Sequence, residues 1–487
     1  MMRVSRWLAA LLAMVMIMGT LGQAYPAWAE EPTPTPVPIP EGVKVAGMPE
    51  VLPTMEELKA AIPPSLLKMD TQGKKLRIMF QGGGDSAPAV EMKDFIKENT
   101  GLEIEIDVIP PESLHEKQLA VFTAGSSEYD LMELYPTWIG EYAEAGYIEN
   151  LDPFYEKYAG EINTDDYIQG AQVGFDKYQG KWYAIPYDGD VNIFYYRKDL
   201  LEDPKEQEAF KAKYGYDLKV PDTWEEVRDL AEFFNRPDQG MYGFGTLALR
   251  TWWAADYWAN VYRPYITKDV QNGMVNDQGE FELDKEAFIK ANDLYMELMK
   301  FSPPGILSWG YPESKEGLGN GTVFMSMQWA TAVFRDPRQA KYWDKLGFAP
   351  MPGVKQADGT IKRKPALAVG KALVIPTESK NKDLAFLYAH FLSSKAMQIY
   401  ETNTGSGVDP NRTSVFEDQR VKDVWDGIIP AAQADLDMGV PDIKVPGAAK
   451  YYEALIGELH SSWAGEQTSE QAYEKVIAAW KTIKEEM

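Results

Sequence analysis

Two carboxylates one residue apart, Asp188 and Asp190, are the side chains of this sequence best placed to hold a ligand. They lie in an aromatic stretch, GKWYAIPYDGDVNIFYYRKDLL, which runs from Gly180 to Leu201. Carboxylate oxygens accept hydrogen bonds from clustered hydroxyl groups, and flat aromatic faces cover the C–H surfaces of a polyhydroxy compound. The stretch therefore predicts a site for a neutral polyhydroxy ligand.

These carboxylates have three other interpretations. An Asp-Gly pair also favours a solvated turn. Two carboxyl groups flanking one bond would suit a secreted glycosidase or polysaccharide lyase. Asp188, Asp190 and Asn192 begin like a calcium-binding loop, but Ile193 stands where such a loop needs glycine, which disfavours calcium.

Further polar and aromatic candidates follow two predicted strands of the N-terminal half. Glu133, Tyr135 and Trp138 belong to the segment ELYPTW after the third strand, and Gln81 and Asp85 follow the first. Loops at the carboxyl ends of strands in an α/β sheet face the crevice where ligands bind. We therefore expect these five side chains near a ligand, with a purely structural loop as the alternative.

An unusual density of aromatic residues surrounds Arg250, which is followed by Thr251, Trp252 and Trp253. A helix that packs its tryptophans inward would explain the pattern. The functional interpretation is a pocket wall, in which Arg250 donates a fork of hydrogen bonds and one tryptophan stacks on a ring.

A glycine-rich polar segment, GSGVDPNR, runs from Gly405 to Arg412 and contains Asp409. Backbone N–H groups of such a segment can hold ligand oxygens. We therefore include Asp409 and Arg412 among the candidate ligand residues.

The elements that must position these residues alternate along the N-terminal half. Strands are predicted at Lys75 to Phe80, Leu102 to Ile109 and Asp130 to Leu134, with helices at Val90 to Asn99 and Leu119 to Ala124. This alternation indicates an α/β fold with a mainly parallel sheet. Capping boxes at Thr223 and Thr468 predict the starts of two later helices.

The composition excludes several classes of function. A net charge of −25, from 74 acidic and 49 basic residues, argues against nucleic-acid binding because nothing would neutralise phosphates. The chain has no cysteine, hence no disulfide framework. His115, His390 and His460 lie far apart without metal-ligand spacing, so we propose neither a metal site nor a cofactor.

The first 29 residues have the pattern of a cleaved signal peptide, with a basic start, an apolar core and Ala27-Trp28-Ala29 before Glu30. Without a cysteine for lipid attachment, we expect a secreted or periplasmic protein rather than a lipoprotein. Residues 30–73 are expected to form a Pro-rich linker and an N-terminal extension, with one short helix at Thr54 to Ala61.

The segments between Leu76 and Lys484, taken in their order along the chain, resemble those of a known family. FTAGSSEYDLMEL, WIGEYAEAGYIENLDPF, PDTWEEV, GNGTVFMSMQWA, LGFAPMPG and GKALVIPTESKNKDLAFLYAHFL, together with the stretch around Asp190, occur in the family's order. The chain is similar to the extracellular solute-binding proteins, family 1, of ABC importers, in particular the sugar-binding, maltose-binding-like ones.

This resemblance implies two Rossmann-like α/β lobes joined by a multi-strand hinge, the type II periplasmic binding protein fold. Residues 74–189 and 365–408 would form lobe 1, and residues 190–364 and 409–487 lobe 2. It also implies an acidic sugar-binding position at Asp190, a ligand-stacking position at Trp329 or Thr331, and a C-terminal aromatic position at Tyr452.

The function implied is capture of a neutral carbohydrate or polyol between the lobes and delivery to the membrane permease of an ABC importer. We expect a monomer that does no chemistry. The enzyme alternative is the secreted glycosidase or lyase, and a third alternative is a solute-binding domain reused as a sensor for a signalling partner.

Overall fold

The computed structural model describes residues 42–487 apart from 172, 173, 175, 268–271, 277, 333–339, 368 and 369. The predicted signal peptide, residues 1–29, and the Pro-rich part of the linker lie outside the described residues. Within the described part of the chain, no helix is both long and apolar enough to cross a membrane.

The strands follow one another along the chain as β1 Lys75–Gln81, β2 Glu103–Ile109, β3 Leu131–Leu134, β4 Lys177–Tyr178, β5 Lys181–Trp182, β6 Ile185–Asp188, β7 Asn192–Arg197, β8 Tyr242–Gly245, β9 Val323–Trp329, β10 Leu346–Ala349, β11 Val354–Lys355, β12 Ile361–Lys362, β13 Ala366–Leu367, β14 Lys371–Val374 and β15 Val440–Pro441.

The α-helices are α1 Met55–Ala60, α2 Pro64–Lys68, α3 Ala87–Glu91, α4 Lys93–Thr100, α5 Pro111–Thr123, α6 Ile139–Glu144, α7 Asp152–Lys157, α8 Gln169–Ala171, α9 Lys198–Leu201, α10 Pro204–Tyr214, α11 Trp224–Phe233, α12 Trp252–Tyr262, α13 Lys285–Met299, α14 Tyr311–Gly319, α15 Lys382–Leu392, α16 Lys395–Thr404, α17 Thr413–Phe416, α18 Gln419–Val424, α19 Ile428–Met438, α20 Ala448–Trp463 and α21 Ser469–Glu486. Short 3₁₀ turns lie at Pro49–Val51, Pro136–Trp138, Pro237–Gln239, Arg263–Tyr265, Ile306–Ser308 and Trp343–Lys345.

The first sheet has five strands in the order β2-β1-β3-β14-β6. β1 pairs in parallel with β2 and β3, whereas β14 runs antiparallel between β3 and β6. Leu76, Ile78 and Phe80 of β1 belong to one hydrophobic cluster and Met79 to another, so the sheet is covered on both faces. Parallel strands require this double cover, and the predicted α/β layer with parallel β1, β2 and β3 is confirmed, whereas β14 makes the sheet mixed rather than mainly parallel in its pairing.

The second sheet has four strands in the order β10-β7-β9-β8. β7 is antiparallel to β10 and β9, and β8 is parallel to β9. Every residue of β7 and β9 is buried, because Phe194 and Met327 face one hydrophobic cluster while Ile193 and Val323 face another. The fold is thus α/β with two main sheets.

Two chain segments pass side by side between the sheets, at 188–192 and 405–412. The Gly189 N–H donates to the Asp409 carbonyl at 2.9 Å. A Cβ at Gly189 would lie 2.4 Å from the Pro410 carbonyl oxygen, so only glycine fits where the segments touch. A third connection runs from β10 to β14 and includes β13, which pairs with β15.

The two predicted capping boxes are present and start their helices where expected. The Thr223 hydroxyl accepts from the Glu226 N–H while the Glu226 carboxylate accepts from the Thr223 N–H, which starts α11. Thr468 and Gln471 do the same for α21. These local signals need no tertiary partner, which is why the sequence alone reveals them.

Candidate functional site

A cavity of about 390 Å³ lies where the carboxyl ends of first-sheet strands meet the two crossing segments and β9 of the second sheet. Seven of the residues selected from the sequence line it: Gln81, Asp85, Tyr135, Asp190, Trp253, Trp329 and Thr331.

The end of β1 supplies a chain of polar contacts on one side of the cavity. Gln81 donates from Nε2 to Asp85 Oδ2 at 2.7 Å, and the Tyr135 hydroxyl donates to Gln81 Oε1. Behind them, Glu133 Oε2 accepts from the Gln81 N–H at 2.8 Å. Glu133 therefore supports the loop from below the cavity, whereas Gln81, Asp85 and Tyr135 face it.

Lys371, which the sequence reasoning missed, lies among three of the predicted carboxylates. Its Nζ is 2.5 Å from Asp188 Oδ2, 3.3 Å from Asp190 Oδ2 and 3.4 Å from Asp85 Oδ2. All four residues are nearly or fully buried. The sequence signal that could have identified Lys371 is its place at the start of β14, a strand otherwise composed of Ala, Leu and Val.

Burial and neighbouring charges shift the pKa values of this cluster. Burial lowers the pKa of Lys371, but Asp188, Asp190 and Asp85 together hold that pKa well above its ordinary value. Burial, followed by repulsion from Asp188, raises the pKa of Asp190 well above its usual range. Burial and then Asp85 likewise raise the pKa of Glu133. The carboxyl groups of the cluster outnumber its one lysine, and burial favours their neutral form.

Asp188 and Asp409 form a second layer behind the cavity wall. Asp188 Oδ1 accepts from the Asp409 N–H at 2.8 Å, and the Thr331 hydroxyl donates to Asp409 Oδ1. Burial, with added repulsion from Asp188, raises the pKa of Asp409 to about 8. Through these contacts the two crossing segments are joined to Thr331 at the end of β9.

Aromatic rings make up the opposite wall. Trp329 meets Trp253 edge to face at 5.9 Å between ring centroids and Tyr311 at 5.1 Å. The Nε1 atoms of Trp253 and Trp329 are buried, and neither has a hydrogen-bond partner among the described residues. Buried indole N–H groups normally have an acceptor, which these two donors lack among the described residues.

Three further aromatic candidates lie behind the cavity lining. Trp252 meets Tyr135 edge to face at 5.2 Å, and Trp138 meets the same ring at 5.1 Å. Tyr452 lies 6.0 Å from Trp252 and is fully buried. These rings support the lining residues and do not face the cavity themselves.

Two arginines selected from the sequence lie away from the cavity. The side chain of Arg250 is 54% exposed and pairs with Glu453 at 2.5 Å. Arg412 is buried over the ring of Tyr167, at 3.9 Å, and donates to the carbonyls of Ser393 and Asn163. The donors of Arg412 are thereby engaged by the protein itself.

Besides Lys371, the sequence reasoning missed Tyr311 and Lys315 in the lining. Burial lowers the pKa of Lys315. The backbone segment Gly405–Gly407 also lines the cavity, and it is the start of the glycine-rich stretch selected from the sequence. No group of three or more His, Asp or Glu side chains in the described parts of the chain could hold a metal ion.

Comparison with known proteins identifies the class to which this fold and cavity belong. The family described as bacterial extracellular solute-binding protein matches residues 81–399, well over half of the sequence. The chain belongs to that family. Its members are binding proteins of ABC importers and not enzymes, so the resemblance noted above is confirmed and the glycosidase alternative is disfavoured.

The individual proteins to which the chain is similar have low sequence identity to it. The chain is 25% identical over 408 residues to a probable amino-acid ABC transporter periplasmic-binding protein of Sinorhizobium fredii, covering 82% of this chain and 87% of the relative. It is 23% identical over 346 residues to the erythritol/L-threitol-binding protein of Mycolicibacterium smegmatis, covering 67% and 68%. A solute-binding protein of Agrobacterium radiobacter in complex with ribitol has a TM-score of 0.71 at 22% identity, covering 85% of this chain and 100% of that one.

Proposed function

We propose that the cavity binds a small uncharged polyol or sugar, which the protein delivers to the membrane permease of an ABC importer. One observation carries the proposal: the cavity is lined by carboxylates and aromatic rings together. A polyhydroxy ligand donates hydroxyl hydrogens to Asp85 and Asp190 and packs its C–H faces against Trp253 and Trp329.

The charge of the cluster disfavours an anionic ligand. Asp85, Asp190 and Lys315 line the cavity, Asp188, Glu133 and Asp409 lie just behind it, and Lys371 is already engaged by three carboxylates. A carboxylate or phosphate group would meet this excess of acid in a site of low dielectric. A hydroxyl group instead accepts or donates without bringing in charge.

We assign the candidate residues to two roles. Direct ligand contact is proposed for the lining residues, which are Gln81, Asp85, Tyr135, Asp190, Trp253, Trp329 and Thr331, together with Lys371 and Tyr311. Support from behind is proposed for Glu133, Trp138, Asp188, Trp252, Asp409 and Tyr452. Arg250 and Arg412 are assigned no ligand contact, because their donors are engaged away from the cavity.

The proposed moving parts are two lobes, residues 74–189 with 365–408 and residues 190–364 with 409–487. The first contains the five-stranded sheet and the second the four-stranded one. The cavity takes Asp85 from one and Trp329 from the other, so hinge closure about the crossing segments would bring its two walls together.

The cellular setting of the proposal rests on the sequence. We propose that residues 1–29 are removed as a signal peptide and that the mature protein works outside the cytoplasm as a monomer. The net charge of −25 supports the absence of a nucleic-acid partner.

A thermal-shift screen tests the proposal, because a ligand that binds the native state raises the melting temperature. The panel pairs erythritol, ribitol and mannitol with the acids of matching chain length, and includes free amino acids. We expect shifts with one or more polyols or small sugars and none with the acids. Shifts produced by amino acids alone would contradict the proposal, as would turnover of a labelled glycoside.

A further inference from the structure

The N-terminal extension is bound firmly to the first lobe. Leu58, Ile62 and Leu66 are at most 1% exposed and belong to the hydrophobic cluster of the five-stranded sheet. The backbone N–H and the hydroxyl of Ser65 both donate to the Glu161 carboxylate, at 2.8 and 2.5 Å. This half of the extension, residues 53–72, thus moves with the first lobe.

The preceding residues contact the helices that cover the second sheet. Val51 is 1% exposed and shares a hydrophobic cluster with Val421 and Val424 of α18. The turn Pro49–Val51 packs against α18, and Arg420 of the same helix contacts Glu57 at 3.0 Å. Residues 42–72, which we name the strap, therefore join both lobes.

Asn403 is the point where the strap meets the two lobes. Its side chain is fully buried, donates from Nδ2 to the Val51 carbonyl at 2.9 Å and accepts at Oδ1 from Trp425 Nε1 at 3.1 Å. Its own carbonyl accepts from the Gly47 N–H at 2.6 Å. One residue near the end of α16 thereby holds strap residues on one side and a second-lobe tryptophan on the other.

The same residue lies two positions before the loop that lines the cavity. α16 ends at Thr404, and Gly405, Ser406 and Gly407 follow as cavity lining. The loop has little freedom, because a Cβ at Gly84 would lie 1.8 Å from the Ser406 carbonyl oxygen. A displacement of the end of α16 would therefore shift both the loop and Gly84.

We propose that Asn403 is a positioning residue for ligand binding and that the strap sets the preferred separation of the lobes in the absence of ligand. Neither touches the ligand. The strap resists opening because a change in lobe separation strains the contacts of Val51, Glu57 and Asn403 together. The effect on ligand affinity rests on the proposed ligand, whereas the effect on lobe separation rests only on the proposed division into two lobes.

Spin-label distance measurements on the full chain test the lobe separation directly. The sequence has no cysteine, so Glu98→Cys on α4 and Glu208→Cys on α10, both exposed, give one label on each lobe. Without ligand, we expect one narrow distance distribution for the labelled parent and a broader or displaced one for Asn403→Ala and for Arg420→Gln. Arg420→Gln changes a partly exposed side chain, so it covers the case in which Asn403→Ala does not fold.

Arg236→Gln is the matched control, because the Arg236 side chain is 24% exposed, as Arg420 is, and its ion pair with Glu206 lies wholly within the second lobe, away from the strap. We expect it to keep the parent distribution. Ribitol affinity should fall about threefold to thirtyfold in Asn403→Ala, as expected when coupling to a binding site is lost, and stay unchanged in Arg236→Gln. An unaltered distribution in both Asn403→Ala and Arg420→Gln would overturn the proposal. A ligand-free broadening with no ribitol binding by the parent would uphold the strap and count against ribitol as the ligand.

Discussion

Lys371 Nζ lies 2.5 Å from Asp188 Oδ2, and the two residues are partners in the register of β14 with β6. The pair therefore joins two neighbouring antiparallel strands at the edge of the first sheet, where the chain leaves for the second sheet. Because Asp190 and Asp85 contact the same ammonium group, removal of the lysine exposes three buried carboxyl groups to one another.

Replacing Lys371 by methionine should cost about 3–5 kcal/mol of unfolding free energy at pH 7, as for other buried ion pairs broken on one side. Urea unfolding at several pH values measures the change. Since the buried carboxyl groups take up protons as the pH falls, the loss should shrink toward pH 5. A Lys371→Met, Asp188→Asn double variant should recover part of the loss. An equal cost at all pH values would contradict this account of the cluster.

The raised pKa of Asp409 leads to a second prediction, which concerns how the stability of the parent protein depends on pH. Burial and Asp188 raise its pKa from near 3.8 to about 8, so between these values the native state holds a proton that the unfolded chain has released. Stability must then fall as the pH rises through this window, by at most about 1.4 kcal/mol per pH unit, and level off above it.

The variant Asp409→Asn removes this group while keeping an acceptor for the Thr331 hydroxyl. The difference in unfolding free energy between the parent and Asp409→Asn should therefore decline from about pH 4 to pH 8. Chemical unfolding across that range measures the difference. Parallel pH profiles for the two proteins would exclude a raised pKa at Asp409.

Much of the fold could be predicted from local sequence. Buried apolar runs gave the strand at Lys75 and the capping boxes gave the helix starts at Thr223 and Thr468, because these signals depend on neighbours a few residues away. The family order of segments then pointed to the two-sheet α/β architecture, which the comparisons confirm.

The site was harder to predict because its partners are remote in sequence. Lys371 contacts Asp188 across 183 positions, and no local pattern marks that contact. Arg250 was selected for its aromatic neighbours and Arg412 for its glycine-rich polar segment, yet Glu453 engages the first and the Ser393 carbonyl the second. Residue type and spacing select candidates, whereas only tertiary packing decides which of them face the cavity.

Arg250 provides a simple test of that distinction. It forms a solvent-exposed ion pair with Glu453, and such pairs contribute about 0–1 kcal/mol. We expect Arg250→Ala to leave polyol affinity unchanged and to lower the melting temperature little, measured by calorimetric titration and thermal unfolding. A tenfold loss of affinity would place Arg250 in the binding site after all.

Trp329 is the aromatic residue whose substitution should separate ring contact from hydrogen bonding. Trp329→Phe keeps an aromatic ring beside Trp253 and Tyr311 but removes an indole N–H that is unpartnered within the described chain. We expect polyol affinity to fall about threefold to tenfold, in line with the loss of one hydrogen bond of about 0.5–1.5 kcal/mol.

The matched control for that variant is Trp258→Phe. Trp258 is also fully buried with an Nε1 that no described residue accepts from, but it stacks on Tyr262 at 4.7 Å and does not line the cavity. Trp258→Phe should change thermal stability without changing affinity, because its ring is replaced away from the ligand. Calorimetric titration with the same polyol compares the affinities of both variants with that of the parent. Equal affinities for Trp329→Phe and the parent would show that the Trp329 N–H donates to no ligand oxygen.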